Sequence, residues 1–460
     1  MPAKPSKRRS PAWLTRNVWT ISWVSLLQDA ASEMLYPLMP IFLNTVLGAP
    51  AAVIGIIEGA AEGTMAFIKL ISDKLNKYLP RKLMVFAGYA GAATGKIIIA
   101  LALTWPVVLV GRVVDRLGKG LRSAPRDAIL MRGTDPRTRG RIIGFHRSMD
   151  TAGAVVGPVL ALMLLALFDD NIRTVLWWAV VPAIASTVLV LFIKDGGMRP
   201  GRARSGTADE PLSGDSRLDA AAMPAGSPAG ASAGSSASAL AGASAGSSAS
   251  APAPASSDPL PRKLRGLITV LAIFSLVNFP DALLLLHLSL SGFGATEVVA
   301  VYLVFNIAYA LMSFPVGMLA DRLGSKYVYA FGLVCFAITY AGLALTDDWM
   351  IAVALLVVYG GFSAANDTVG KSWAAKLAPA HLQLKAQARL QGFSGFGILI
   401  AGIWAGLAWN AGAGIDLTSG LSLGDGGVPL LISAAFAILV AIYVSIFAPR
   451  SGFATALREK

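Results

Sequence analysis

Long apolar runs separated by short polar breaks organise this chain. A helix needs about 20 mainly apolar residues to cross the hydrocarbon core of a bilayer. Runs of that kind predict twelve spans, over 17–46, 51–72, 82–104, 106–130, 142–168, 174–194, 265–290, 297–319, 326–346, 350–373, 387–412 and 428–448. Between the sixth and seventh the pattern stops, and residues 195–263 become rich in Ala, Gly, Ser and Pro. Such a segment cannot bury a core and is predicted to be a disordered linker. The predicted organisation is a basic tail (1–16), a six-helix bundle (17–194), the linker (195–263), a second six-helix bundle (264–448) and a short tail (449–460). The linker reads most simply as a passive tether.

Composition agrees with the pattern. Only 14% of residues are charged and 55% are hydrophobic, whereas soluble domains carry about 25% charged residues. A water-soluble protein is excluded on that ground. The net charge of +13 would suggest nucleic acid in a soluble chain, but here its position matters more than its sum. Lys4, Lys7, Arg8, Arg9 and Arg16 precede span 1. Lys74, Lys77, Arg81 and Lys82 follow span 2, and Arg132, Arg137, Arg139 and Arg141 follow span 4. On the other side Arg173 is the clear cation, among Asp169, Asp170, Asp347, Asp348, Asp416 and Asp425. The positive-inside rule then places both termini in the cytoplasm, without nucleic-acid binding. The first apolar run reads as an uncleaved helix rather than a signal peptide.

Cys335 is the one cysteine, so no disulfide framework or multi-cysteine metal site is expected. His146, His287 and His381 are too dispersed for a zinc enzyme, and no phosphate-cradling Gly-x-x-x-x-Gly-Lys-Ser/Thr loop is present. No cofactor and no enzymatic activity are expected.

The two halves look like copies. Ser25-Leu-Leu-Gln28 recurs as Ser275-Leu-Val-Asn278, and Gly48-Ala49 as Gly294-Ala295. Asp73-Lys74 follows span 2 as Asp321-Arg322 follows span 8, and Ser123-Ala-Pro-Arg-Asp127 matches Ser363-Ala-Ala-Asn-Asp367. Parallel six-span repeats are a transporter architecture, with the substrate path between the halves.

Gly317-Met-Leu-Ala-Asp321-Arg322-Leu-Gly324-Ser-Lys326 resembles the signature of the major facilitator superfamily between the second and third helices of each half. In the first half Lys69 stands where Gly is expected, followed by Asp73-Lys74 and a longer gap to Arg81-Lys82. Arg112-Val-Val-Asp115-Arg116-Leu-Gly118 is similar to the span-4 arginine motif of that superfamily, with Asp where Gln is common. Gly153-Ala-Val-Val-Gly157-Pro158-Val-Leu-Ala161 resembles its antiporter glycine–proline motif, although small-xxx-small spacing also serves plain helix packing. Asp29-Ala-Ala-Ser-Glu33-Met-Leu-Tyr36-Pro37, with Arg112 to Asp127, looks like a bacterial permease subgroup. The resemblance covers all twelve spans. It implies an all-α polytopic membrane protein with two six-helix pseudo-repeat bundles, in a bacterial inner membrane, working as a monomer.

An ionisable side chain at the bilayer centre costs roughly 2.5–3.5 kcal/mol on insertion scales and should face a cavity or a partner. The first half carries most of them. Asp29 and Glu33 are four apart, as are Glu58 and Glu62, so each pair shares a helix face. Lys96 lies in span 3, and span 4 bears Arg112, Asp115, Lys119, Arg122 and Arg126 as one polar stripe. Span 5 adds His146, Arg147 and Asp150. A carboxylate whose surroundings alternate between wet and dry can load and release a proton. Asp29, Glu33, Glu58 and Glu62 are therefore proton-site candidates, with Arg112 as switching partner. A permanent salt-bridge cluster joining spans 1, 2, 4 and 5 is the plainer alternative. Arg126, Asp127 and Arg147 are placed in a gating ion-pair lattice with Asp73. The second half offers Asn278, Asp281, Asn306, Asn366, Asp367 and Lys371, beside an aromatic wall of Phe279, Tyr302, Phe305, Tyr309, Tyr359 and Phe362 that reads as ordinary packing.

These features point to a proton-coupled secondary transporter of a small solute, with efflux antiport ahead of proton-coupled uptake of an organic anion at Arg112, Lys119 and Arg122. A non-transporting receptor is a remote alternative. The charge asymmetry makes a direct prediction. Alkaline phosphatase fused after residue 460 stays inactive in cells, whereas fusion at Asn171 is active; the reverse pattern inverts the orientation.

Overall fold

The computed structural model describes residues 13–75, 78–131, 134, 138–194, 258–412, 415–418 and 421–449. The linker at 195–257 and both tail ends lie outside them. The described chain forms twelve helical crossings. Span 1 is Arg16–Leu35, continued by a short turn Met39–Ile41 and a π-helical turn Phe42–Val46. Spans 2 to 6 are Ala51–Leu75, Arg81–Leu101, Trp105–Leu130, Arg139–Leu167 and Ile172–Val190. Span 7 is two helices, Arg262–Phe274 and Asp281–Leu290. Spans 8 and 9 are Ala295–Leu323 and Ser325–Ala344. Span 10 joins Trp349–Ala364 to Lys371–Leu377 through a π-helical stretch Ala365–Gly370, and spans 11 and 12 are Gln383–Leu407 and Gly427–Phe447.

Local chemistry explains the ends. The Asn171 and Asp348 side chains accept from the backbone N–H of Thr174 and Ile351, capping spans 6 and 10. Glu297 folds back to accept from the Gly294 N–H at 2.7 Å, closing the start of span 8. Gly324, with φ of +94°, ends that span in a conformation that disfavours any side chain.

Nine helices among the described residues are long and apolar enough to cross a membrane by length and composition. Spans 1, 4 and 7 fall short for visible reasons. The first two carry ionisable residues along their length, and the third is broken. The sequence predicts one continuous helix over 265–290, but Pro280 has no N–H to donate and restricts the residue before it. The chain unwinds between Phe274 and Asp281, and Trp404 Nε1 of span 11 donates to the Leu276 carbonyl at 2.6 Å. A second difference is a small antiparallel hairpin, Ile415–Thr418 with Leu421–Leu423, before span 12.

The halves meet chiefly through spans 2 and 11 and through spans 5 and 8. A Cβ on Gly402 would lie 2.5 Å from the Gly55 carbonyl oxygen, so spans 2 and 11 approach backbone to backbone there. Both glycines lie near the end of the bundle opposite the termini. At that end Thr296 Oγ1 of the second half also donates to Asp170 of the first at 2.7 Å.

Gly402→Leu forces a side chain into backbone and is expected to destabilise the protein by about 1–3 kcal/mol, the usual range for overpacking. Gly266→Leu, at a glycine with nothing within 4 Å, serves as the control. Thermal unfolding in detergent reads both, and equal midpoints would contradict the close contact.

Candidate functional site

Span 4 carries four buried charged side chains, Arg112, Asp115, Arg116 and Arg122. From Arg112 to Arg126 the helix rises about 21 Å at roughly 1.5 Å per residue, and each turn meets a different neighbour. Arg112 pairs with Glu58 of span 2. Asp115 meets Lys96 of span 3 at 2.8 Å. Arg116 stands between Asp115 at 3.8 Å and Glu62 of span 2 at 3.4 Å. Arg122 lies over the Tyr89 ring, 4.3 Å from its centroid. Arg126 donates to Ser25 of span 1 at 2.9 Å and pairs with Asp127 at 3.0 Å. Glu58, Lys96, Arg112, Asp115 and Arg116 are all buried. Hydrocarbon penalises a lone charge, and pairing compensates it.

Span 1 presents its carboxylates differently. Glu33 is buried and accepts a hydrogen bond from the Tyr302 hydroxyl of span 8 at 2.6 Å, a contact between the halves. The Tyr302 ring lies 5.6 Å from that of Tyr36, and Arg112 stands over Tyr36 at 5.8 Å. Asp29 is half-buried and makes no hydrogen bond or ion pair among the described residues. Its charged surroundings are Asp150 of span 5 with Lys119, Arg122 and Arg126 of span 4. His146 approaches Ser22 at 3.4 Å and Asp150 at 3.9 Å. Gly153 and Gly157 of span 5 press on the same stretch of span 1. A Cβ on Gly157 would meet the Ala30 carbonyl oxygen at 2.6 Å and the Glu33 Cβ at 2.8 Å. The glycine–proline segment, with Pro158 inside the helix, thus backs the carboxylate face directly.

In the second half the aromatic wall that reads as ordinary packing also makes hydrogen bonds. Tyr309 donates to Asp367 at 2.9 Å, and Tyr359 to Asp281 at 2.7 Å. Lys371 pairs with Asp367 at 3.1 Å. Phe305 stacks on Tyr359 at 5.3 Å, so the rings pack while their hydroxyls serve carboxylates. A cavity of about 120 Å³ lies between the halves, bordered by Glu62 and Lys69 of span 2, Asn278 at the break in span 7, and Asp367 and Lys371 of span 10.

The signature segment ends in an ion pair, Asp321 with Lys376 of span 10 at 2.7 Å. Arg322 is exposed beside it. Gly317 does not mark a tight approach, because a Cβ there would meet Thr368 at an ordinary 3.4 Å. The Asp73 side chain, placed in the gating lattice from sequence, lies outside the described residues. Arg147 is buried, with Asp150 and Asp127 among its charged neighbours.

Three groups emerge only here. Arg116 belongs to the span-4 stripe, one turn after Arg112, and that spacing was the available signal. Lys69 is seven residues beyond Glu62 and so shares its face, again a readable signal. The Tyr302–Glu33 pair had none, since it joins residues 269 apart.

Twelve helices in two pseudo-repeated halves, with ionisable groups and a cavity between them, define a secondary transporter of small solutes. The profile of the Major Facilitator Superfamily matches residues 21–300 and 266–458, and the chain belongs to that superfamily. It is 26% identical over 407 residues to an uncharacterised MFS-type transporter of Methanocaldococcus jannaschii, covering 86% of this chain and 89% of that one. A shorter match, 28% identical over 147 residues, covers 32% of this chain and 37% of the multidrug resistance protein MdtH of Aeromonas hydrophila. The crystal structure of a D-xylose-proton symporter superposes with a TM-score of 0.68 at 13% identity, covering 96% of this chain and 99% of that one.

Removing Lys96 takes the nearer partner from Asp115 and leaves it only Arg116 at 3.8 Å. Lys96→Met is expected to cost about 3–5 kcal/mol, and Lys96→Met with Asp115→Leu to recover most of it. Thermal unfolding of the two variants decides this, and an equally unstable double variant would count against the pairing.

Proposed function

We propose that this transporter couples solute movement to protons, exporting solute in exchange for protons entering the cell. Both termini are then cytoplasmic, in a bacterial inner membrane. Residues 17–194 and 264–448 act as the two moving bundles of a monomer, joined by the tether at 195–263. One observation carries the proton reading. Asp29 is a half-buried carboxylate without a hydrogen bond or ion pair among the described residues, one helical turn from a carboxylate that bonds across the halves.

The chemistry separates the acidic groups into two sets. Glu58 and Asp115 are held by Arg112 and Lys96, and neutralising either would leave a buried cation alone. They form a frame. Asp29, with no hydrogen bond or ion pair among the described residues, can change charge without stranding a paired cation, and Glu33 meets the neutral Tyr302 hydroxyl at 2.6 Å. A proton on Asp29 removes the cost of carrying its charge between wet and dry surroundings. A proton on Glu33 weakens the charge-assisted bond from Tyr302 and loosens the seam between spans 1 and 8. Lys119, within electrostatic reach of both, favours release once solute leaves. Glu62, held by Arg116 at 3.4 Å and bordering the cavity, links this pair to the solute.

Two features support export. The Gly153–Pro158 segment resembles an antiporter motif and packs on the carboxylate face, and a multidrug resistance protein matches part of the chain.

A growth screen of a deletion strain against toxic compounds identifies a solute, whose transport is then followed in proteoliposomes. An imposed pH gradient is expected to drive it at least about tenfold above the gradient-free rate. Asp29→Asn and Glu33→Gln abolish that increment yet retain solute exchange at equal pH. Transport indifferent to the gradient would sink the proton assignment.

A further inference from the structure

The cavity between the halves has an unusual balance. Each half contributes one acid and one base. Span 2 supplies Glu62 and Lys69, seven residues apart, and span 10 supplies Asp367 and Lys371, four apart. The fixed charges on the wall therefore cancel. Among the described residues no aromatic side chain borders the cavity, and Met65, Ala66, Leu271 and Leu390 are among its apolar lining. Asn278, at the break in span 7, brings a buried Oδ1 with no hydrogen-bond donor among the described residues. The volume, about 120 Å³, is well below the roughly 300–1,000 Å³ of pockets for drug-sized ligands.

We infer that this cavity takes a small zwitterion of amino-acid size, carrying an ammonium and a carboxylate together. The inference rests on the chain being a transporter, and it names the solute class for that reading. Lys371 already pairs with Asp367 at 3.1 Å, and Glu62 with Arg116 at 3.4 Å. A solute with only one charge that entered either pair would leave a partner uncompensated in a dry site, which is costly. A zwitterion substitutes for both members at once. Its ammonium takes the place of Arg116 at Glu62 or of Lys371 at Asp367, its carboxylate meets Lys69 or Lys371, and Asn278 Oδ1 accepts one further N–H. Because the four ionisable groups come in equal number from the two halves, the same solute ties the halves together when bound. A lipophilic cation lacks both the ring surface it would stack on and any excess of negative charge. An organic anion finds the two cations that line the cavity matched by two acids.

The test uses the full chain in nanodiscs at one pH, with thermal unfolding as the readout. The probes are the twenty standard L-amino acids, each alone, with tetraphenylphosphonium and benzoate as lipophilic cation and organic anion. At least one amino acid is expected to raise the midpoint. Its methyl ester, lacking the carboxylate charge, and its N-acetyl derivative, lacking the ammonium, bind at least tenfold more weakly. Lys69→Met and Asp367→Asn each weaken the amino acid by a similar factor, and Lys69→Arg restores part of it. The inference is overturned if no amino acid shifts the midpoint, if the ester or N-acetyl derivative binds as well as the parent, or if only tetraphenylphosphonium or benzoate acts. Because binding is read without a pH gradient, loss of proton coupling in proteoliposomes leaves this result standing, and failure here leaves the coupling result standing.

Discussion

The cost of an uncompensated charge in hydrocarbon governs the first half of this protein. Span 4 bears so many ionisable residues that it falls outside the helices apolar enough to cross a membrane unaided. It crosses because spans 1, 2 and 3 each bring a partner to it: Ser25, Glu58 and Glu62, and Lys96. Those contacts fix the rotation of span 4 about its axis. They therefore also fix where Lys119 faces, and with it the surroundings of Asp29 and Glu33.

Packing and chemistry share the same surfaces. Gly153 and Gly157 let span 5 lie against span 1 where Asp29 and Glu33 project. A helix seated that close transmits a small shift of span 1 directly, since packed interfaces do not deform continuously. On the other side of the seam, Tyr302 of span 8 holds Glu33, and Tyr36 and Arg112 stand next to it. Ion-pair frame, carboxylate pair and inter-half contact form one connected network.

The second half sets tyrosine hydroxyls on two of its acids, beside the ion pair of Lys371 with Asp367. Tyr309 with Asp367 and Tyr359 with Asp281 are neutral donors on acids. Separating a tyrosine hydroxyl from an acid loses less than separating a guanidinium does. The break in span 7 adds a further opening, exposing Asn278 to the cavity where a continuous helix would have presented a closed cylinder.

The sequence by itself determined the membrane-spanning class, the twelve crossings, the twofold repeat of six spans and the stripe on span 4, because these follow from hydrophobic length, local motifs and helical periodicity. Span 1 was placed at 17–46 and occupies 16–46. The polar face from Arg112 to Arg126 was legible for the same reason, although its member Arg116 was passed over. Tertiary structure alone decided which charge meets which. Glu58 and Glu62 are one turn apart on one helix, yet one is locked to Arg112 and the other borders a cavity. Tyrosines that read as packing became hydrogen-bond donors to Glu33, Asp281 and Asp367. Pairing depends on the rotation and separation of helices far apart in the chain, and in a bilayer the energy of a charge is set almost wholly by that partner.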